Sequence, residues 1–131
     1  MKSYDTEPAA QALAPLMAPD TAVVTLQNGI DNVEAIASVV GAGAVLSGAV
    51  YIALQLTGPG VVLRTGGEGR SVFGELSGSV TERVRRLANA FEHSRIPHEV
   101  STDINRVARR HFRQRRGCSA GSLVETLTTL K

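Results

Sequence analysis

Residues 22–54 read AVVTLQNGIDNVEAIASVVGAGAVLSGAVYIAL, and the fold follows from how that stretch divides. Ala22 to Leu26 is a short β-branched apolar run, the pattern of a strand buried on both faces of a parallel sheet. Asn28-Gly29 closes it. Asp31 is placed to cap a helix, with Glu34 three residues on as part of a capping box. Val33, Ile36, Ala37 and Val40 then recur at helical spacing as an inward stripe. Gly41 to Gly43 make a C-terminal turn, and Ala44 to Leu54 is a second apolar strand. Strand, helix and strand in that order predict a right-handed parallel crossover, half of a doubly wound sheet.

Working outward, Thr6 is expected to cap an upstream helix, with Glu7 and Pro8 in its first turn and Pro15 ending it. Downstream the pattern changes. Val61–Arg64 and Ser71–Glu75 read as two short antiparallel strands joined by the turn Gly66-Gly67-Glu68-Gly69. A helix from Ser79 or Thr81 turns Val84, Leu87, Ala88 and Phe91 inward. Ile96–Val100 is an edge strand, because Pro97 cannot donate to a ladder. Asp103 caps a last helical region with the stripe Ile104, Val107, Ala108 and Phe112. The fold class is α/β: the C-terminal half of a Rossmann-like, doubly wound domain over residues 1–101, with a short antiparallel extension. The start of an all-helical domain follows over 102–131. Such a domain normally opens with a strand, a glycine-rich turn and a helix, so the chain reads as an interior fragment. The open edges of its half-sheet predict self-association or a homodimer.

Composition bounds the function classes. The 131 residues are 43% hydrophobic and 20% charged, which is globular rather than disordered. The longest apolar or small run, Val39 to Ala53, is interrupted by Gly and Ser and falls short of the roughly 20 residues a spanning helix needs. One cysteine, Cys118, excludes an internal disulfide framework, and with no export signal in view it predicts a cytoplasmic protein. The net charge of +2 is uneven: residues 101–131 hold seven Lys/Arg against two acids.

Several stretches invite a chemical reading. Gly41-Ala42-Gly43 follows a helix and precedes a strand, the reverse of a dinucleotide-binding turn, so it reads as a helix C-cap. Gly66 to Gly69 reads as a hairpin turn rather than an anion cradle, since no helix opens after it. Lys2 and Asn28 fall at the carboxyl ends of inferred parallel strands, the edge where open α/β sheets bind ligands. A cation there can meet a phosphate or carboxylate and an amide can read a ribose or carboxamide; Asn28-Gly29 can equally be only a turn. The cluster Arg106, Arg109, Arg110, Arg113, Arg115 and Arg116 reads as a solvated helix face rather than a nucleic-acid patch, since it lacks interleaved aromatics. His111 reads as a partly buried, hydrogen-bonded residue and Cys118 as a small packing residue. No His or Cys spacing forms a metal site.

Taken together, Lys2-Ser3-Tyr4-Asp5-Thr6, Thr25-Leu26-Gln27-Asn28-Gly29-Ile30-Asp31-Asn32, Gly58-Pro59-Gly60-Val61-Val62 and Val72-Phe73-Gly74-Glu75-Leu76 resemble the middle of a ketopantoate reductase (2-dehydropantoate 2-reductase). Ile96-Pro97-His98-Glu99-Val100 with Thr102-Asp103-Ile104 resembles that family's passage into its helical domain. The resemblance implies a partial NADP-binding domain over 1–101 and the beginning of a helical substrate domain over 102–131. It implies NADPH-dependent reduction of 2-dehydropantoate, a small 2-oxo acid, to pantoate on the route to pantothenate and coenzyme A. By position, Lys2 and Asn28 border the nicotinamide and substrate, and a backbone group near Ala53 or Leu54 faces the cofactor. The family's catalytic lysine falls at His111, its context Trp-x-Lys-Phe reading Arg109-Arg110-His111-Phe112 here. A substrate-binding Asn falls at Arg115 and a second polar partner at Ser119. These departures, and a glycine fingerprint expected before Met1, imply that the isolated chain is inactive. They make the arginine stretch look more like a degenerated helix than a new binding surface. The alternative is a non-catalytic basic α/β module whose arginine helix binds nucleic acid or an acidic partner.

Overall fold

The computed structural model describes residues 3–27, 31–116 and 127–130. After a short 3-10 turn, helix α1 (Thr6–Leu13) ends before Pro15, and Ala14–Leu16 tightens into a second 3-10 turn. Strand β1 (Ala22–Thr25) is buried along its whole length. Helix α2 (Asn32–Val40) ends at Gly41, whose φ of +89° lets the chain turn back towards strand β2 (Val45–Gly58). β1 and β2 pair in parallel, Val24 opposite Leu46, so the strand–helix–strand crossover is present.

Beyond it lie β3 (Val61–Glu75), α3 (Glu82–His93), β4 (His98–Val100), α4 (Ile104–Arg116) and β5 (Leu127–Leu130). The sheet is mixed, in the order β4-β3-β2-β1-β5. β3 runs antiparallel to β2, and β4 runs parallel to β3 at the sheet edge, as Pro97 led us to expect. Two apolar layers hold the helices. On one face Ala10, Val23, Ile36 and Val45 pack together beneath α1 and α2. On the other, Val24, Leu46, Phe73, Val84 and Leu87 pack beneath α3. Alternation along β1 and β2 sends neighbouring residues to opposite layers, which is why this strand pair is apolar throughout.

Four expectations change. Gly66–Gly69 is not a turn between two strands, because β3 is one continuous strand of 15 residues. The hairpin turn is Pro59-Gly60, between the paired Gly58 and Val61, with Gly60 at φ +73°. Pro at the first turn position and a positive φ at the second fit a type II turn. The glycines instead form a bulge: Tyr51 pairs with Arg70 while Ala53 pairs with Gly66. Gly67 sits there at φ +82°, where a Cβ would come within 2.7 Å of the Tyr51 carbonyl oxygen. Secondly, Asp5 rather than Thr6 occupies the cap position of α1. Thirdly, the chain after α4 returns to the sheet as β5, where the reading of 102–131 expected helix. Fourthly, β5 pairs antiparallel with β1, so the β1 edge expected to lie open is covered.

The C-terminal passage depends on a close approach. A Cβ at Gly74 would collide with the Ser101 carbonyl oxygen, so the absence of a side chain lets the chain cross β3 into α4. Asp103 Oδ1 accepts the Arg106 backbone N–H at 3.2 Å and caps that helix as expected. Asp31 stands at the N-cap of α2 but makes no side-chain capping bond. No helix among the described residues is long and apolar enough to cross a membrane.

Candidate functional site

The carboxyl end of β1 gathers a buried polar cluster. Thr6, Gln27 and Asn32 are at most 5% exposed, although they come from the first turn of α1, the end of β1 and the first turn of α2. Thr6 Oγ1 lies 3.1 Å from Gln27 Oε1 and 3.2 Å from Asn32 Oδ1. A hydroxyl has one proton and can donate to one of those oxygens only. With the Gln27 amide turned over, its Nε2 donates to Thr6 Oγ1, which in turn donates to Asn32 Oδ1. That arrangement also serves Gln27 Nε2, which otherwise lacks a partner among the described residues. The cluster fastens two helix N-termini to one strand end. Helix N-termini favour negative charge, so this edge suits the polar and anionic groups of a nucleotide.

The second group lies where α4 packs on β2 and β3. His111 is 6% exposed and meets the Tyr51 ring edge-on, with centroids 4.7 Å apart. The Arg70 guanidinium sits 5.0 Å from the centre of the same ring. Arg70 also pairs with Glu99 on β4 and, at 3.2 Å, with Glu68 in the bulge. Tyr51, Glu68, Arg70 and Glu99, with Val72, Val107 and Arg110, line a cleft of about 460 Å³.

A third group joins the sheet to α3. Glu75, 5% exposed, accepts a two-pronged contact from Arg83, with Nε at 2.7 Å, and a hydroxyl bond from Thr81. The Arg83 bonds hold the Glu75 carboxyl below the usual carboxylate range, and Glu75 in turn raises Arg83. Arg83 also donates to the Gly43 carbonyl, fastening the end of the crossover to the same helix.

Of the residues singled out in the sequence, Lys2, Asn28 and Ser119 lie outside the described residues, as does Cys118. Arg115 is on α4. Ala53 and Leu54 lie on β2 beside the bulge, two and three residues from Tyr51, so α4 brings His111 close to that part of the strand. Gly41–Gly43 is a helix C-terminal turn, as read. Among the described residues no His/Cys/Asp/Glu group could hold a metal ion. Sequence reasoning missed Thr6, Gln27 and Asn32 as one unit, taking Thr6 for a cap. The available signal was polar Gln27 directly after the mainly apolar run Ala22–Leu26.

A nicotinamide dinucleotide fits this chain in part. The uncharged polar cluster at the β1 edge suits the amide and hydroxyl groups of its nicotinamide–ribose end. Among the described residues no glycine-rich turn opens a helix for the pyrophosphate: Gly41–Gly43 precedes a strand and Gly66–Gly69 lies within one.

The 2-dehydropantoate 2-reductase of Halobacterium salinarum is 41% identical over 91 residues, 70% of this chain and 29% of that protein. That of Aquifex aeolicus is 30% identical over 105 residues, 79% of this chain and 34% of the relative. The chain therefore spans about a third of the length of these curated relatives. The crystal structure of 2-dehydropantoate 2-reductase from Geobacter metallireducens superposes with a TM-score of 0.73 at 29% identity, covering 82% of this chain and 36% of that one. A complex of D-mandelate dehydrogenase with NADH also gives 0.73, at 25% identity, covering 85% and 37%. The family model for ketopantoate reductase PanE/ApbA matches residues 1–78, which contain the crossover, the polar cluster and the β2–β3 hairpin. The chain belongs to the ketopantoate reductase family.

Proposed function

We propose that this chain supplies the cofactor edge of an NADPH-dependent reductase that converts 2-dehydropantoate to pantoate. Residues 1–101 form its partial nucleotide-binding domain, and α4 opens its substrate domain. The observation that carries the reading is the Thr6–Gln27–Asn32 cluster, buried at the carboxyl end of β1 inside the family-matched segment. When bound, the reduced nicotinamide supplies a hydride to a ketone. Lys2 and Asn28 then border the nicotinamide and the 2-oxo acid, the cluster fixes the strand end that leads into Asn28, and a backbone group at Ala53 or Leu54 faces the cofactor. His111 takes the position of the family's proton donor, with Arg115 and Ser119 at substrate-binding positions. Developing negative charge on the carbonyl oxygen requires a donor that both stabilises and protonates it. An imidazole packed on Tyr51 serves that need poorly. The isolated chain should accordingly give no NADPH oxidation with 2-dehydropantoate above a protein-free blank.

Saturation-transfer NMR with NADPH tests the binding half of this proposal without requiring turnover. Nicotinamide and adjacent ribose protons should receive more saturation from the chain than adenine protons. Thr6→Val should reduce that transfer while Thr6→Ser preserves it. Equal or adenine-weighted transfer, or transfer indifferent to Thr6→Val in a folded protein, contradicts the assignment.

A further inference from the structure

Helix α4 has two faces of opposite character. Ile104, Val107, Ala108 and His111 are buried or half-buried towards β2 and β3, which fixes the rotation of the helix. Arg106, Arg109, Arg110 and Arg113 recur at i, i+3, i+4 and i+7, so they form one row, and all four are exposed. None of their guanidinium groups has an ion pair or hydrogen bond among the described residues. Together with Asp103 and Asn105 they line a groove of about 520 Å³. Elsewhere in the fold the arginines Arg64, Arg70, Arg83 and Arg85 each have a partner. Among the described residues the row on α4 is thus a concentration of cationic charge without a partner.

We propose that this row binds the phosphate backbone of a nucleic-acid duplex, independently of base sequence. Guanidinium groups match phosphate oxygens in a two-pronged geometry. Seven residues of helix span about 10 Å, a length of duplex that carries roughly six phosphates. A membrane surface does not fit, because the apolar face an interfacial helix would insert is packed on the sheet. Among the described residues no aromatic or apolar side chain lines the groove, which disfavours both base stacking and the apolar centre of a protein interface.

The test is fluorescence anisotropy of a labelled 20-base-pair DNA duplex titrated with the purified full chain at several salt concentrations. Four phosphate contacts should give a slope of log affinity against log salt of about −3.6, a loss of about 100-fold between 50 and 200 mM salt. Arg109→Glu/Arg113→Glu should weaken binding at least ~10-fold at 50 mM salt and roughly halve the slope. Arg106→Gln/Arg110→Gln should weaken it less, while Arg85→Gln on α3 leaves it unchanged. Circular dichroism melting of each variant checks that the fold is intact. No saturable binding at 50 mM salt overturns the proposal. So does binding that the α4 variants do not change, or a poly-glutamate peptide competing as well as unlabelled duplex at equal charge.

Discussion

The carboxyl edge of the crossover and helix α4 spend their polar residues in opposite ways. At the edge, three uncharged side chains from three elements are buried and hydrogen-bonded to one another. On α4, four cations from one element are exposed and have no partner among the described residues, while the polar ring of His111 turns inward and packs on Tyr51. Buried polar groups must be satisfied, so the edge is specified residue by residue. Exposed charges carry no such requirement, and α4 can diverge from its relatives while its inner stripe still holds it to the sheet. The edge lies within the family-matched segment and α4 beyond it.

The largest effects should fall in the crossover. Ile36→Ala removes a fully buried side chain between α2 and the sheet and should cost about 2–5 kcal/mol in chemical denaturation. A cost below 1 kcal/mol would mean that this layer is not the body of the fold. Next is Glu75→Gln, which leaves Arg83 without its carboxylate and should cost about 1.5–3 kcal/mol. Because the folded-state value of Glu75 is lowered, its contribution is present above the usual carboxylate range. It is lost as pH falls through that range towards the lowered value. Melting temperature should therefore drop less steeply on acidification in Glu75→Gln than in the parent, and parallel curves would break the link.

Within the edge itself, Thr6→Val removes the hydroxyl that the buried Gln27 and Asn32 share and should cost about 1–3 kcal/mol. Thr6→Ser should recover most of that, because the hydroxyl relay survives. A destabilisation shared equally by both variants would point to lost packing instead. The smallest effect belongs to α4, where Arg109→Gln should change stability by less than about 0.5 kcal/mol. A larger loss would show that the row holds the fold together, and would erase the contrast.

How much of this was legible in the sequence depended on range. The continuous apolar run Ala22–Leu26 and the stripe of Val33, Ile36, Ala37 and Val40 are local signals, and they pointed to β1, α2 and the parallel pairing. Capping by Asp103 and the edge position of β4 were equally local. The glycines of 66–69 carried a correct signal for special backbone and a wrong one for its use, since bulge and turn both call for positive φ. Only the partner strand distinguishes them. Thr6 looked like a cap because its partners are 21 and 26 residues away. The Arg70–Glu99 pair, 29 residues apart, was hidden in the same way, and the return of β5 to β1 left no pattern in its own four residues.

The most direct measurement is a pair of grafts into the Geobacter metallireducens 2-dehydropantoate 2-reductase. One replaces its matching segment with residues 1–100 of this chain, and the other with residues 1–116. Each is assayed for NADPH oxidation with 2-dehydropantoate after its cooperative melting has been confirmed. The shorter graft should retain turnover. The longer one should be crippled, and His111→Lys within it should restore turnover in part, most visibly above neutral pH, where an ammonium stays protonated and an imidazole does not. A folded but inactive shorter graft, or a longer graft as active as the shorter one, would contradict the division between a competent edge and a diverged helix.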